Sequence, residues 1–156
     1  MRSKRCSEEE FSLILDSIEG QDNRLAVMVA AETGLRIDDV LSLPSSVVDE
    51  SVLITEKKRG VQRIIALSPE LRQEFRQRGC VSLWLFSGRF TGHRHRSTVF
   101  KAMKKACDRC HIRGFSPHSL RKLYARRRFE ECNDIESVRA ALGHKYASTT
   151  AIYLFL

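Results

Sequence analysis

The ten residues S-P-H-S-L-R-K-L-Y-A, 116–125, decide how the rest of the chain is read. Ser116 is a helix cap, and Pro117 suits a first helical position, where its missing N–H costs nothing. His118 and Arg121 stand at i and i+3 and share one face of the first turn. Leu120, Leu123 and Tyr124 point the other way, towards a core. The start of a helix presents free N–H groups and the positive end of the macrodipole, so it attracts anionic oxygens. A histidine and an arginine projecting there form an oxyanion clamp with a proton-transfer group beside it.

Two further spacings fit that clamp. Upstream, T33-G-L-R36 sets an arginine just beyond a glycine that closes an apolar helix. A guanidinium that is always charged, at a buried helix end, needs an anion or an acid partner. Asp39 lies three residues on and can orient it, so an internal ion pair with Asp38 or Asp39 is the alternative to phosphate binding. Downstream, L142-G-H144 ends a helix at Gly143, and Tyr153 follows nine residues after the histidine on the last helix. Tyr146 falls in the turn between them, and Tyr124 on a core face.

The bulk composition is that of an ordinary soluble domain. The chain has 156 residues, 42% hydrophobic and 29% charged, enough for one domain with a real core. Its net charge of +8 is unevenly spread. Between Arg89 and Arg128 there are 13 Lys/Arg and one acid, Asp108, leaving 14 basic and 18 acidic groups elsewhere. A basic middle on a mildly acidic frame is an electrostatic footprint for a polyanion. No stretch approaches the ~18 apolar residues of a membrane span, and M-R-S-K-R-C-S-E-E-E turns acidic where a signal peptide needs an apolar segment. Five scattered cysteines (6, 80, 107, 110, 132) form no disulfide framework and suit a reducing cytoplasm.

The predicted elements are mainly helical. Ser7-Glu8-Glu9-Glu10 is a capping box ahead of Phe11, Ile14, Leu15 and Ile18 on one face. A core helix spans 23–33 and a short one 37–43, ended by Pro44. The β-branched runs 47–48, 52–55 and 62–67, joined by D-E-S and K-K-R-G, predict a three-stranded antiparallel sheet. Ser68-Pro69 opens a helix to about Arg78. After a Trp84-Leu85-Phe86 anchor and the basic loop G-R-F-T-G-H-R-H-R, helices follow at 97–110, 116–131, 134–142 and from 148. The fold class is α+β, mainly α.

Taken together, A-E-T-G-L-R-I-D-D-V-L-S-L, S-P-H-S-L-R-K-L-Y-A and A-L-G-H-K-Y-A-S-T-T-A-I-Y resemble the three motifs of the phage-integrase, or tyrosine-recombinase, catalytic domain. The resemblance covers residues 7 to 156 and implies that family's fold, a helical bundle with a small three-stranded sheet. It implies that Arg36 and Arg121 hold a scissile phosphate, that His118 and His144 complete the pocket, and that Tyr153 is the nucleophile. Asp39 matches an acidic position that supports the first arginine. Setting R63-I-I-A-L against the family's strand puts Lys58 at the hairpin-lysine position, with Lys57 the alternative.

The implied activity is site-specific recombination of double-stranded DNA through a 3′-phosphotyrosine intermediate, with no metal or other cofactor. No Asp/Glu cluster or P-loop stands ready for magnesium. A single catalytic domain over 1–156, with no N-terminal core-binding domain, is expected, because six residues precede the first helix. The expected partners are DNA and further copies of the chain, monomeric in solution and tetrameric on DNA, with no membrane. A non-catalytic DNA-binding remnant and a type IB topoisomerase-like relaxing enzyme are the alternative functions. Arg89, Arg94, Arg96, Arg126, Arg127 and Arg128 are candidate contacts to the DNA backbone, positioning without reading sequence. Cys107-Asp-Arg-Cys110-His111, with His93 and His95 upstream, invites a zinc site, but a C-x-x-C inside an amphipathic helix reads more simply as packing.

Overall fold

A helix whose middle, 25–31, is an unbroken apolar run, α2 (Gln21–Thr33), forms the axis of the molecule. Leu25, Ala26, Val27 and Val29 have no exposed surface, which a helix hydrophobic all round requires of its surroundings. The computed structural model describes residues 3–79, 82–90 and 92–155. Around α2 pack α1 (Glu8–Ser17), α3 (Ile37–Leu41), α5 (Arg96–Arg109) and α6 (Pro117–Cys132). The remaining helices are α4 (Pro69–Arg78), α7 (Ile135–Leu142) and α8 (Ala147–Phe155). None is long and apolar enough to cross a membrane among the described residues.

Local chemistry sets most boundaries. Ser7 accepts from the Glu10 N–H, and the Glu10 side chain accepts from the Ser7 N–H, the reciprocal capping box that starts α1. Ser68 caps α4 through the Leu71 N–H, with Pro69 at the first position. Asp134 caps α7 by accepting from Glu136 and Ser137. His95 caps α5 through Nδ1, accepting from the Ser97 N–H, so this histidine of the proposed zinc cluster serves a helix start.

Among the described residues the sheet has two strands, not three. β1 (Val52–Thr55) pairs antiparallel with β2 (Gln62–Ile65), Val52 opposite Ile65 and Thr55 opposite Gln62. The run at Val47-Val48 instead forms a 3-10 turn, Ser45–Val48, that packs on α4. The reason is burial: both valines are inside, and a strand would have sent consecutive side chains to opposite faces. A helical turn after Pro44 places both against the core.

The described residues form two cores. The large one gathers α1 to α6 and the hairpin around Leu25, Leu41, Phe75, Phe86, Leu120 and Leu123. The small one holds Ala125, Val138, Leu142 and Leu154, with Tyr124, Phe129, Ile135 and Tyr153 packed against it. Helix α6 belongs to both: Leu120 and Leu123 face the first, Ala125 the second. Whatever sits on that helix between them is held from two sides.

Cys107 lies in the large core, while Cys110 Sγ sits 3.1 Å from Ser17 Oγ. Among the described residues no group of three or more His, Cys, Asp or Glu is arranged to hold a metal ion. Cys80 and Thr91, from the predicted cysteine set and basic loop, lie outside the described residues, as does Leu156 of the last predicted helix.

Candidate active site

Arg121 occupies the junction of the two cores and is 2% exposed. Its Nη1 donates to the Gly34 carbonyl, at the end of α2, and its Nη2 to the Leu142 carbonyl, at the end of α7, at 3.1 Å. These are orphan acceptors, since the last carbonyls of a helix have no intrahelical partner. One guanidinium thereby bolts α2 to α7. Its Nε is buried and has no acceptor among the described residues, which leaves a donor suited to an anionic oxygen. Burial, then the neighbouring Arg36, pushes the Arg121 pKa below its usual value.

Gly34 adopts φ +67°, ψ +9°, the left-handed cap that closes α2. This turns the chain so that Arg36 leads into α3. Arg36 Nη1 donates to Glu56 Oε2 at 2.8 Å. The acid that pairs with it is therefore neither Asp38 nor Asp39. Asp39, 4% exposed, instead accepts the Lys57 N–H at 3.0 Å and so secures the hairpin turn. Burial above all raises the Asp39 pKa.

The turn between β1 and β2 carries three cations. Lys57 Nζ reaches the Asp38 carbonyl at 3.3 Å. Arg59 Nη1 donates to the Gly143 carbonyl at 2.8 Å, tying the turn to the loop that carries His144. Lys58 is exposed and makes no hydrogen bond to another described residue. Arg36, Asp39, Lys58, His118, Arg121 and Arg96 are among the residues lining one cleft of about 400 Å³, next to Phe100 and Pro117. A larger hollow of about 640 Å³ shares none of these residues. There Arg78 is already bound to Asp22 at 2.7 Å and the Leu85 carbonyl at 2.7 Å, so its charge is used internally.

His144 and Tyr153 stand behind this wall. His144 is 3% exposed and shares a hydrogen bond between Nδ1 and Thr150 Oγ1 at 3.0 Å. Its ring meets the Tyr153 ring edge to face, 4.8 Å between centroids. Burial, then the charges of Arg121, Arg59 and Arg36, pull its pKa down to about 4, so it is neutral at pH 7. The Tyr153 hydroxyl lies 3.2 Å from His118 Nδ1. Burial and the adjacent cations, Arg121 first, also lower the His118 pKa. A neutral imidazole beside a phenol can take its proton.

The structure thus brings Arg36, Lys58, His118, Arg121, His144 and Tyr153 into one neighbourhood. It does not gather the six arginines proposed for DNA. Arg96 borders the cleft, paired with Asp38 at 3.0 Å. Arg89 is exposed beside the Phe90 ring. Arg94 holds Asn23 at 3.2 Å. Arg126 binds the Cys6 carbonyl at 3.1 Å, Arg127 grips Glu8 at 2.6 and 2.9 Å, and Arg128 pairs with Glu131 at 3.9 Å. Glu56, Arg59, Arg63 and Thr150 are the members that sequence reasoning missed. Strand alternation would have exposed Glu56: Val52, Ile54 and Glu56 share a face, and an acid on an inward face needs a partner.

The family model for the phage integrase family matches residues 4–155. The tyrosine recombinase XerD of Rhizobium meliloti (strain 1021) is 33% identical over 133 residues, covering 78% of this chain and 43% of that protein. Tyrosine recombinase XerC of Erythrobacter litoralis (strain HTCC2594) is 33% identical over 129 residues, 78% of this chain and 42% of that protein. The chain spans under half the length of these relatives. Among solved structures, XerA recombinase superposes with a TM-score of 0.78 at 20% identity, over 100% of this chain and 61% of that one. A lambda integrase dimer bound to a COC′ core site gives 0.80 at 22%, over 98% and 48%.

Proposed function

The chain belongs to the phage integrase family, and on that premise we propose that it cuts and rejoins duplex DNA in site-specific recombination, with Tyr153 as nucleophile. The observation that carries this reading is the Tyr153 hydroxyl 3.2 Å from His118 Nδ1, on a residue that lines the same cleft as Arg36 and Arg121. The phenol oxygen attacks the scissile phosphorus and its proton passes to His118. The bond from phosphorus to the 5′-oxygen breaks as the bond to Tyr153 forms, so the phosphodiester energy is kept. Lys58 gives the departing 5′-oxygen its proton. Attack by a 5′-hydroxyl reverses each transfer and rejoins a strand.

Extra negative charge gathers on the non-bridging oxygens in the transition state, and Arg36 and Arg121 are placed to oppose it. Removing one such preorganised donor typically costs ~10²–10³ in rate. His144 acts by position: neutral, fixed to Thr150, its ring against Tyr153, it orients the phenol. The described residues work as one catalytic unit, recombination brings copies together as a tetramer on DNA, and the reaction belongs to the cytoplasm.

The test is a nicked suicide substrate carrying the sequences that flank the native gene. Wild type is expected to form a covalent protein–DNA adduct and Tyr153→Phe none. Equal adduct from both, or none from wild type, sinks the proposal. Relaxation of supercoiled DNA lacking the site would assign the relaxing chemistry instead.

A further inference from the structure

Glu56 is 1% exposed and carries two ion pairs. Its Oε2 takes Arg36 Nη1 at 2.8 Å and its Oε1 takes Arg63 Nη1 at 3.1 Å. Arg63 in turn donates from Nη2 to the Thr33 carbonyl at 2.6 Å, at the last residue of α2. Buried charge is stable only when paired and hydrogen-bonded, and here a single carboxylate is shared by two guanidiniums of unequal exposure. Arg63 is 11% exposed and bound at both ends of its fork. Arg36 is 21% exposed, holds Glu56 through one nitrogen only, and lines the cleft.

The main chain of the same residue shapes the opposite wall. The Glu56 N–H donates to the Val61 carbonyl at 2.9 Å, and its carbonyl accepts the Gly60 N–H at 2.8 Å. Those two bonds close the turn in which Lys58 stands. Asp39 secures that turn from α3 through the Lys57 N–H.

We propose that Glu56 is a positioning residue, which aims Arg36 into the cleft and fixes the Lys58 turn relative to it. This rests on the reading of Arg36 as a phosphate ligand. A carboxylate in that place draws one nitrogen of Arg36 inward and leaves the others for an oxygen in the cleft. It also opposes the phosphate for the same cation, so its role is orientation at some expense of attraction. Binding of duplex DNA draws on many backbone contacts, whereas the transition state depends on a donor within a few tenths of an ångström of its place. Loss of the Glu56 charge should separate the two.

The test compares wild type, Glu56→Gln and Glu56→Asp, all shown folded by circular dichroism. Single-turnover adduct formation on the suicide substrate is expected to fall about 10²-fold in Glu56→Gln. Duplex affinity should stay within about twofold at fixed salt, and Glu56→Asp, which keeps the charge, should recover part of the rate. A wild-type rate in Glu56→Gln, or a loss of rate that only tracks lost affinity, overturns the proposal. A second readout stands apart from activity. The Arg36 Nε–H resonance, identified by its loss in Arg36→Lys, should be sharp in wild type and shifted or broadened in Glu56→Gln. An unchanged resonance overturns the proposal even if wild type forms no adduct, an outcome that would remove the functional reading alone. Should Glu56→Gln not fold, Glu56→Asp carries the same comparison against wild type, with a displaced Arg36 signal expected from the shorter arm.

Discussion

Replacing Gly34 by alanine tests whether the two cores are joined as described. A Cβ at Gly34 would lie within 2.8 Å of three atoms of the Tyr124 ring, closer than carbon atoms approach. The backbone there is also left-handed, at φ +67°. The conformational part costs an L-residue about 1–2 kcal/mol. The collision adds the about 1–3 kcal/mol of overpacking, because Tyr124 is itself wedged against the small core. The sum, about 2–5 kcal/mol, is a large part of the 5–15 kcal/mol typical of a domain.

Gly60→Ala supplies the control. Gly60 has nearly the same backbone, φ +65°, with nothing within 4 Å of its Cβ position, so it meets the conformational part alone. Urea denaturation followed by far-UV circular dichroism should show Gly34→Ala less stable than Gly60→Ala by about 1–3 kcal/mol. A cycle with Tyr124→Ala should recover much of that difference, since the ring is what the new methyl strikes. The Gly34 carbonyl also accepts Arg121 Nη1, so the same change should slow adduct formation. If Gly34→Ala and Gly60→Ala agree within about 0.5 kcal/mol, or the cycle is additive, the close approach of α2 to α6 is refuted.

Two further outcomes follow from buried groups. Unfolded histidine titrates near 6.5, whereas burial and three arginines hold His144 down to about 4. The unfolded chain therefore binds the extra proton between these values. Stability from this residue is complete above pH 6.5 and lost as pH falls to 4, by roughly 3 kcal/mol. His144→Gln should lose less stability than wild type over that range in urea titrations, and equal losses would contradict the burial of the ring. Burial raises the thiols of Cys6 to about 12 and Cys107 to about 11, while Cys132 is exposed. Mass mapping after iodoacetamide at neutral pH should find Cys132 alkylated first, and Cys6 and Cys107 only in denaturant. Alkylation of Cys6 at the rate of Cys132 would overturn its placement.

What the sequence disclosed, and what it hid, divides by distance along the chain. The capping box at Ser7, the Pro69 start of α4 and the glycine stops at 34 and 143 depend on a few neighbouring residues, and each was legible. So was the face shared by His118 and Arg121, set by one helical turn. The third strand failed because β-branched residues favour extended backbone only when one side faces away from the core, and Val47 and Val48 both turn inward. The internal partners of the arginines proposed for DNA were hidden for another reason. Arg127 and its partner Glu8 are 119 positions apart, and nothing local at either residue announces the other. Within the basic middle, Arg126 and Arg127 fasten α6 to the start of α1. Glu56 was legible only through strand alternation, because locally it is a lone acid ahead of the run K-K-R.

The division into two cores bears directly on how the site can work. Arg36, Lys58, His118 and the cleft rest on the large core, which α2 organises. Tyr153 belongs to the small one, with Leu142 and Leu154, and α8 touches α6 and α7. Opening free energy falls where few buried apolar groups resist it, and the small core has only four buried members among the described residues. The residues proposed to hold the phosphate are therefore held more firmly than Tyr153, the group proposed to attack. Polar ties help keep the phenol in range, among them Arg5 to the Leu154 carbonyl, Thr150 to His144, and Tyr153 to His118. Arg121 reaches across to both cores, so an anion bound in the cleft and drawing on its free Nε would act on the one residue that also anchors α7. On the roles proposed above, anion binding and the placement of Tyr153 are thereby linked through Arg121.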